Sequence, residues 1–265
     1  MVHIEGYEYR PEYKTYTEYN YLRAGRMASY MKTLHFDTAL RMTRPYFGQA
    51  NVIDFGCCDG PFLPSLARYF PGVLGIDIVP EFVEIASKLC EVLNLNNVEV
   101  LCNASSSIQA LASRLSGTPY QILFLLETLE HVGTHENMYG SKIDFLKEVF
   151  YLVEEEGIVV MSVPKMVGPS FLIQRLGLRA LGMYREPISF TDLWKAVLFS
   201  DTSGLEKKWT REHLGFNHKI LEKALKEDFV IHKRKDLFFQ VVYVVGKHPH
   251  TEGHKRNKGK GTCGA

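Results

Sequence analysis

The chain has 265 residues, of which 46% are hydrophobic and 23% charged, and its formal net charge is +1. This length and composition fit one large α/β domain, and the near-zero net charge gives no basic field that would attract nucleic acid. No apolar run reaches the roughly 18 residues of a transmembrane segment. The N-terminus shows no signal-peptide pattern, and the five cysteines form no Cys-x-x-Cys pair. A reducing, cytoplasmic setting is therefore expected, without a disulfide framework or a thiolate zinc site.

Residues 1–50 are predicted to form an N-terminal helical segment ahead of the first strand. The stretch 24–43 is amphipathic, with Pro45 and Gly48 closing it. Its apolar residues recur every three or four positions, at Met27, Tyr30, Met31 and Leu34.

Residues 51–247 are predicted to form the main domain, in which strands and helices alternate. Strands are expected at 51–55, 73–77, 98–102, 121–126, 157–163, 229–235 and 237–246. Helices are expected at 62–69, 80–93, 105–115, 142–153 and 217–227. This alternation predicts an α/β fold built on a doubly wound, Rossmann-like and mainly parallel sheet.

Residues 166–210 break the alternation and are predicted to form an inserted helical lid. The stretch 171–183 is apolar and has two arginines near one face. A covering helix and a peripheral membrane contact both fit this pattern, and two arginines make only a weak basic face for a membrane. The insertion contains three aromatic residues that would either line a pocket or pack the insertion onto the core: Trp194, Phe199 and Trp209.

Residues 248–265 are polar and rich in glycine and lysine, which predicts a disordered basic tail.

The most informative segment follows the first strand and reads Asp54-Phe55-Gly56-Cys57-Cys58-Asp59-Gly60. An apolar strand ends in an acid, glycines follow at two offsets, and a helix begins. The glycines let the backbone approach a ligand closely, and Asp77 at the end of the next strand is placed to accept ribose hydroxyls. Together these features predict a nucleotide-type cofactor site.

The charge of the loop indicates which cofactor it would bind. A dinucleotide site reads Gly-x-Gly-x-x-Gly, and the third glycine of that pattern is missing here. Asp54 would repel a pyrophosphate but would attract a cation. S-adenosylmethionine carries a sulfonium and an ammonium, so it is favoured over a nicotinamide dinucleotide.

At these residues the sequence resembles the class I S-adenosylmethionine-dependent methyltransferases. Their first motif is an acid followed by Gly-x-Gly-x-Gly, which reads DFGCCDG here, so Cys58 stands at the usual middle glycine. Asn103 follows the third strand, where the family often has an acid that contacts adenine; an asparagine there is also a common turn residue. The resemblance implies cofactor contacts at Asp54, Gly56, Cys58, Gly60, Asp77, Ile78, Asn103, Ala104 and Glu127.

A second motif, Glu127-Thr128-Leu129-Glu130-His131, follows the fourth strand. It is similar to the Glu-x-x-Glu-His of ubiquinone-biosynthesis O-methyltransferases and small-RNA 2′-O-methyltransferases. That resemblance implies a divalent metal held by both acids and the imidazole, with His213, or alternatively His218, as a further ligand. Capping of the next helix by Glu130 and His131 explains these residues without a metal, so no metal ligand is predicted.

Without a metal, His131 and Glu127 are the candidate catalytic residues. The acceptor must lose a proton when it takes the methyl group, and an imidazole is a suitable base near neutral pH. Glu127 would orient the acceptor or act as the base itself.

These features predict methyl transfer from S-adenosylmethionine to an oxygen or nitrogen atom of an acceptor, which is expected to be a small molecule. The sequence is also compatible with two alternatives: an NAD(P)-dependent oxidoreductase and a non-catalytic S-adenosylmethionine-binding protein. A nucleic-acid partner is not expected, and the sequence makes no prediction of the oligomeric state.

Overall fold

The computed structural model describes residues 16–17, 26–180, 188–207, 209 and 213–248. The predictions for residues 1–15 and 18–25 and for the basic tail from 249 onwards lie outside the described residues. The same holds for residues 181–187 of the inserted segment.

In the described part of the chain, seven strands form one sheet in the order β3-β2-β1-β4-β5-β7-β6. The first five are parallel to one another, and β7 is antiparallel to both β5 and β6. The strands are β1 (Asn51–Phe55), β2 (Gly72–Asp77), β3 (Val98–Cys102), β4 (Ile122–Leu126), β5 (Ile158–Pro164), β6 (Phe229–Asp236) and β7 (Gln240–Lys247). The strand order reverses between β1 and β4, which opens a crevice at the carboxyl ends of these strands.

Helices connect the strands and cover the sheet. They are α1 (Arg26–Thr43), α2 (Leu63–Tyr69), α3 (Pro80–Val92), α4 (Ile108–Leu115), α5 (Met138–Val149), α6 (Gly168–Ala180), α7 (Phe190–Trp194), α8 (Ser203–Glu206) and α9 (His218–Asp228). A 3-10 turn, Leu129–His131, follows β4, and a π-helical turn, Lys195–Phe199, continues α7. The predicted doubly wound fold class is confirmed.

The sheet is buried on both faces, and β4 shows this most clearly. Leu123 and Leu125 point into one hydrophobic cluster, while Ile122 and Phe124 point into the cluster on the opposite face. All five residues of β4 are buried as a result. A strand buried on both sides is apolar throughout, which is why β4 was recognisable in the sequence.

Three elements begin three or four residues away from their predicted starts. Helix α4 begins at Ile108 and not at 105, because the Ser107 side chain caps it by accepting the Ala110 amide. Helix α5 begins at Met138, four residues before the predicted start. Strand β7 begins at Gln240 because the Leu237 amide donates to the Gln240 carbonyl and closes a turn there.

The inserted segment forms helices with a small hydrophobic cluster of their own. Helix α6 packs against the π-helical turn. Phe171 of α6, Ala196 of the turn and Leu205 of α8 are buried in one cluster. Phe199 is 77% exposed, whereas Trp209 is only 3% exposed. None of the helices in the described part of the chain is both long and apolar enough to cross a membrane.

Candidate active site

A cavity of about 340 Å³ lies at the carboxyl ends of β1, β2 and β4. Parallel strands place their carboxyl ends at one edge, so residues far apart in sequence meet there. Its walls include the predicted site residues Asp54, Gly56, Cys58, Asp77, Ile78, Glu127 and His131. Aromatic side chains complete the walls, among them Tyr16, Phe36, Phe55, Phe62, Phe82 and Phe145.

Both loop glycines adopt backbone conformations that side chains disfavour. Gly56 has φ +82°, and a Cβ atom there would lie 2.4 Å from the Thr128 hydroxyl oxygen. Gly60 has φ +84°, and its Cβ would lie 3.2 Å from the Cβ of Ala86 on α3. Gly56 therefore lets the loop approach the segment after β4, while Gly60 lets it approach α3.

Asp77 ties the glycine loop to the end of β2. One carboxylate oxygen accepts the Cys58 amide at 2.8 Å, and the other accepts the Val79 amide at 3.0 Å. Asp54, on the neighbouring strand, is 4% exposed. The pKa of Asp54 is raised to about 7, mainly by burial and to a smaller extent by repulsion from Asp77. A cationic ligand in the cavity would stabilise its ionised form.

Cys58 occupies the left-handed region with φ +52°. The loop thus keeps at this position the backbone conformation that a glycine would adopt more easily. Burial raises the pKa of its thiol, which keeps Cys58 protonated at neutral pH.

If the cofactor runs along this loop, its binding depends on the size of residue 58. We expect Cys58→Gly to bind S-adenosylmethionine as tightly as the wild type or more tightly. Cys58→Leu should bind S-adenosylmethionine about tenfold or more weakly, because the leucine side chain would fill the space that the cofactor needs beside the loop. Calorimetric titration measures both, and Cys102→Leu, at the exposed last residue of β3, is the matched control. Unchanged affinity in Cys58→Leu would place the cofactor elsewhere.

Glu127 is held by β5 at the opposite side of the cavity. Its amide donates to the Ser162 carbonyl at 3.2 Å and to Oγ at 3.0 Å, and the Ser162 hydroxyl donates to Glu127 Oε1 at 2.8 Å. Its φ of +50° turns the chain sharply after β4. Burial and then the nearby Glu130 raise the pKa of Glu127 well above its usual value. His131 lies on the same cavity wall with 44% of its side chain exposed.

Glu130 is fully buried beside two histidines. Its Oε1 lies 3.5 Å from His213 Nε2 and 3.9 Å from His131 Nε2. Neither of its carboxylate oxygens has a hydrogen-bond partner among the described residues. Burial raises the pKa of Glu130 to about 8, although Lys142 opposes the shift. One ligand atom from each of Glu130, His131 and His213 lies within 4.8 Å of the others, a spacing that a metal ion could bridge.

The helix-capping interpretation of Glu130 is wrong. Helix α5 begins at Met138 with Asn137 as its N-cap residue, seven positions beyond Glu130 in the chain. His218, the alternative to His213 in the sequence analysis, is buried at the start of α9 and is not part of the Glu130 cluster.

Three residues of the predicted cofactor set do not line the cavity: Gly60, Asn103 and Ala104. The Asn103 amide donates to the Asp77 carbonyl at 2.8 Å, and its side-chain amide donates to Ser106 O at 3.1 Å. These contacts are those of a turn residue that adjoins the site. Trp194, Phe199 and Trp209 are likewise absent from the walls of this cavity.

The N-terminal segment contributes to the site in a way that sequence reasoning missed. Thr17 is buried, and both its amide and its hydroxyl donate to the carboxylate of Asp59 in the glycine loop. The adjacent Tyr16 lines the cavity, where its ring meets that of Phe82 at 6.3 Å. No local pattern links residue 17 to residue 59, since the contact spans 42 positions.

Comparison with known proteins identifies the family. The profile of a methyltransferase-domain family matches residues 27–216. The chain therefore belongs to this methyltransferase family, and the prediction of a class I S-adenosylmethionine-dependent enzyme is confirmed. This membership overturns the NAD(P)-dependent alternative. A search of curated protein sequences returned no significant match.

Solved structures share the fold at low sequence identity. A protein from Pyrococcus horikoshii OT3 has a TM-score of 0.56 and 16% identity, over 91% of this chain and 100% of the other. An S-adenosylmethionine-dependent methyltransferase from Anabaena variabilis has a TM-score of 0.52 and 14% identity, over 80% and 83%. The N-methyltransferase NodS from Bradyrhizobium japonicum, in complex with S-adenosylhomocysteine, has a TM-score of 0.50 and 12% identity, over 83% and 88%.

Proposed function

We propose that this protein transfers the methyl group of S-adenosylmethionine to an oxygen or nitrogen atom of a small-molecule acceptor. One observation carries the proposal: a single cavity joins the glycine loop, Asp77 and the Glu127–His131 segment. The glycine loop and Asp77 suit a nucleoside with a cationic side chain. The Glu127–His131 segment supplies acid–base groups beside that nucleoside. The N-methyltransferase NodS, whose structure holds S-adenosylhomocysteine, shares this fold.

The cofactor would lie along the loop between β1 and β2. Asp77 already accepts two backbone amides, and carboxylate oxygens have further lone pairs for the ribose hydroxyls. Gly56 keeps the loop close to the segment after β4, and Asp54 offers a buried negative charge to the cationic methionine end. The aromatic walls exclude water around the transferred methyl group.

Methyl transfer is a displacement at carbon. The acceptor lone pair forms the new bond to the methyl carbon while the carbon–sulfur bond breaks, and its electrons return to sulfur to give S-adenosylhomocysteine. The acceptor proton passes to His131, or to Glu127 if that carboxylate is ionised. Alignment of acceptor and methyl group within the cavity provides most of the acceleration.

The proposal is tested by incubating the protein with S-adenosylmethionine that carries a labelled methyl group and with a fractionated metabolite extract. Label should appear in a component of the extract, and equimolar S-adenosylhomocysteine should form. Tight cofactor binding with no transfer to any fraction would instead support a non-catalytic binding protein.

A second candidate, metal-assisted methyl transfer, is favoured by the surroundings of Glu130. A fully buried carboxylate without hydrogen-bond partners is costly, and a cation would offset that cost. The donor set of one carboxylate and two imidazoles suits a divalent transition metal. Glu130, His131 and His213 would hold such an ion, which when bound would polarise an acceptor hydroxyl. In this arrangement Glu127 would take the acceptor proton, because the imidazole of His131 would be bound to the metal.

Metal removal separates the two candidates. We expect one Mn²⁺ to bind per chain by calorimetry, and binding to be lost in Glu130→Gln and His213→Gln, because each removes a donor. Chelator should lower methyl transfer by about tenfold or more, with recovery on addition of Mn²⁺. His232→Gln, an exposed histidine on β6, serves as the control. Full activity both in chelator and in His213→Gln would leave His131 as the base.

A further inference from the structure

We infer that Lys142 is a positioning residue for this reaction, because it holds the turn that carries Glu130 and His131 in place. The inference rests on the proposed function, since the position of this turn matters only if methyl transfer occurs beside it. Lys142 belongs to α5 and was not among the residues that the sequence predicted for the site.

The Lys142 ammonium contacts the backbone on both sides of His131. Its Nζ donates to the Glu130 carbonyl at 3.0 Å and to the Val132 carbonyl at 2.5 Å. A carbonyl before His131 and one after it thus share one donor group, which restricts rotation of the intervening backbone. The direction in which the His131 ring enters the cavity is set by that backbone.

The same ammonium also contacts the inserted segment. It lies 4.4 Å from the centroid of the Trp209 ring and 5.8 Å from that of Phe216. A cation over an aromatic face is attracted by it, most strongly over tryptophan. Trp209 follows α8, four positions before His213 in the chain. Lys142 therefore connects the Glu130–His131 turn with the segment that leads to His213.

Burial indicates that this arrangement is more than packing. The Lys142 side chain is 0% exposed, and lysine is almost never fully buried unless it is paired. An apolar residue would fill the same space without the cost of removing a charge from water. The charge and its directed donors are thus the features of Lys142 that an apolar residue lacks.

Replacement of Lys142 should separate cofactor binding from turnover. In Lys142→Met, methyl transfer at saturating S-adenosylmethionine should fall by about tenfold or more, while the affinity for S-adenosylmethionine stays within about twofold of the wild type. Lys142→Arg keeps the charge and should recover part of the rate. Lys147→Met removes an exposed lysine of the same helix, paired with Asp228, and should transfer methyl groups at the wild-type rate.

Two spectroscopic readouts do not require an acceptor. In a Trp194→Phe background, Trp209 is the single tryptophan, and its emission should change in Lys142→Met and not in Lys147→Met. In ¹⁵N-histidine-labelled protein, the His131 and His213 ring resonances should shift in Lys142→Met and, to a smaller extent, in Lys142→Arg. If Lys142→Met does not fold, the same measurements on Lys142→Arg test the positioning role.

The outcomes distinguish this inference from the proposed function. A wild-type rate with unshifted histidine resonances in the Lys142 variants would overturn the positioning role. Equal losses of cofactor affinity and turnover, in step with lower thermal stability, would also overturn it and indicate a structural lysine. No methyl transfer by the wild type, with the spectroscopic shifts still present, would count against the proposed function alone.

Discussion

Asp77→Ala is expected to weaken S-adenosylmethionine binding by about 10- to 100-fold, or roughly 1–3 kcal/mol. Two effects combine at this position. The variant lacks the proposed acceptor for the ribose hydroxyls of the cofactor, and the amides of Cys58 and Val79 lose the carboxylate that holds the loop. Calorimetric titration of folded protein measures the loss directly.

Glu81→Ala provides the matched control for Asp77. Glu81 is an exposed acid in the first turn of α3, four residues beyond Asp77, so its removal changes the charge without touching the loop. Its cofactor affinity should equal that of the wild type. If Asp77→Ala bound S-adenosylmethionine as tightly as the wild type, the ribose would not bind at the end of β2.

Gly56→Ala is expected to have the largest effect on the glycine loop, with destabilisation of roughly 2–4 kcal/mol and loss of cofactor binding. An alanine at φ +82° is strained, and its Cβ would lie 2.4 Å from Thr128 Oγ1 and 2.8 Å from Cγ2. The loop must therefore move away from the segment that leads to Glu127. Chemical denaturation measures the stability, and calorimetry the binding.

The clash can be separated from the backbone strain. Adding Thr128→Ala to Gly56→Ala removes the two closest atoms, so the double variant should recover part of the lost stability but keep the cost of the positive φ. Gly117→Ala is the control, because no atom of the described residues lies within 4 Å of a Cβ there. A Gly56→Ala protein as stable as the wild type would contradict the described loop geometry.

The parts of the site that sequence reasoning predicted are those specified by neighbouring residues. Asp54, Gly56 and Asp77 lie at or directly after the ends of strands that are recognisable from their apolar pattern, and parallel pairing then brings the strand ends together. Asn103 was predicted by the same reasoning but lies outside the cavity, because its side chain turns back to Ser106. The position of a residue at a strand end was predictable, whereas the direction of its side chain was not.

The interpretation of Glu130 shows where local patterns fail. An acid shortly before a helix is typical of a cap, and a cap was expected here. In the structure Asn137 is the N-cap residue of α5, and the Glu130 carboxylate turns inward towards His213, which follows in the chain by 83 positions. Such a contact leaves no periodicity or spacing that a sequence can show.

The sequence by itself determined the sheet, the glycine loop and the family to which the chain belongs, because burial patterns and backbone requirements act over a few neighbouring residues. The tertiary structure alone decided that Thr17 holds Asp59, that Lys142 holds the turn with His131, and that two histidines meet at Glu130. These contacts depend on how packed helices orient their side chains, and each joins elements that no local rule relates. Buried polar groups must find partners wherever the fold brings them, so their chemistry becomes visible only in three dimensions.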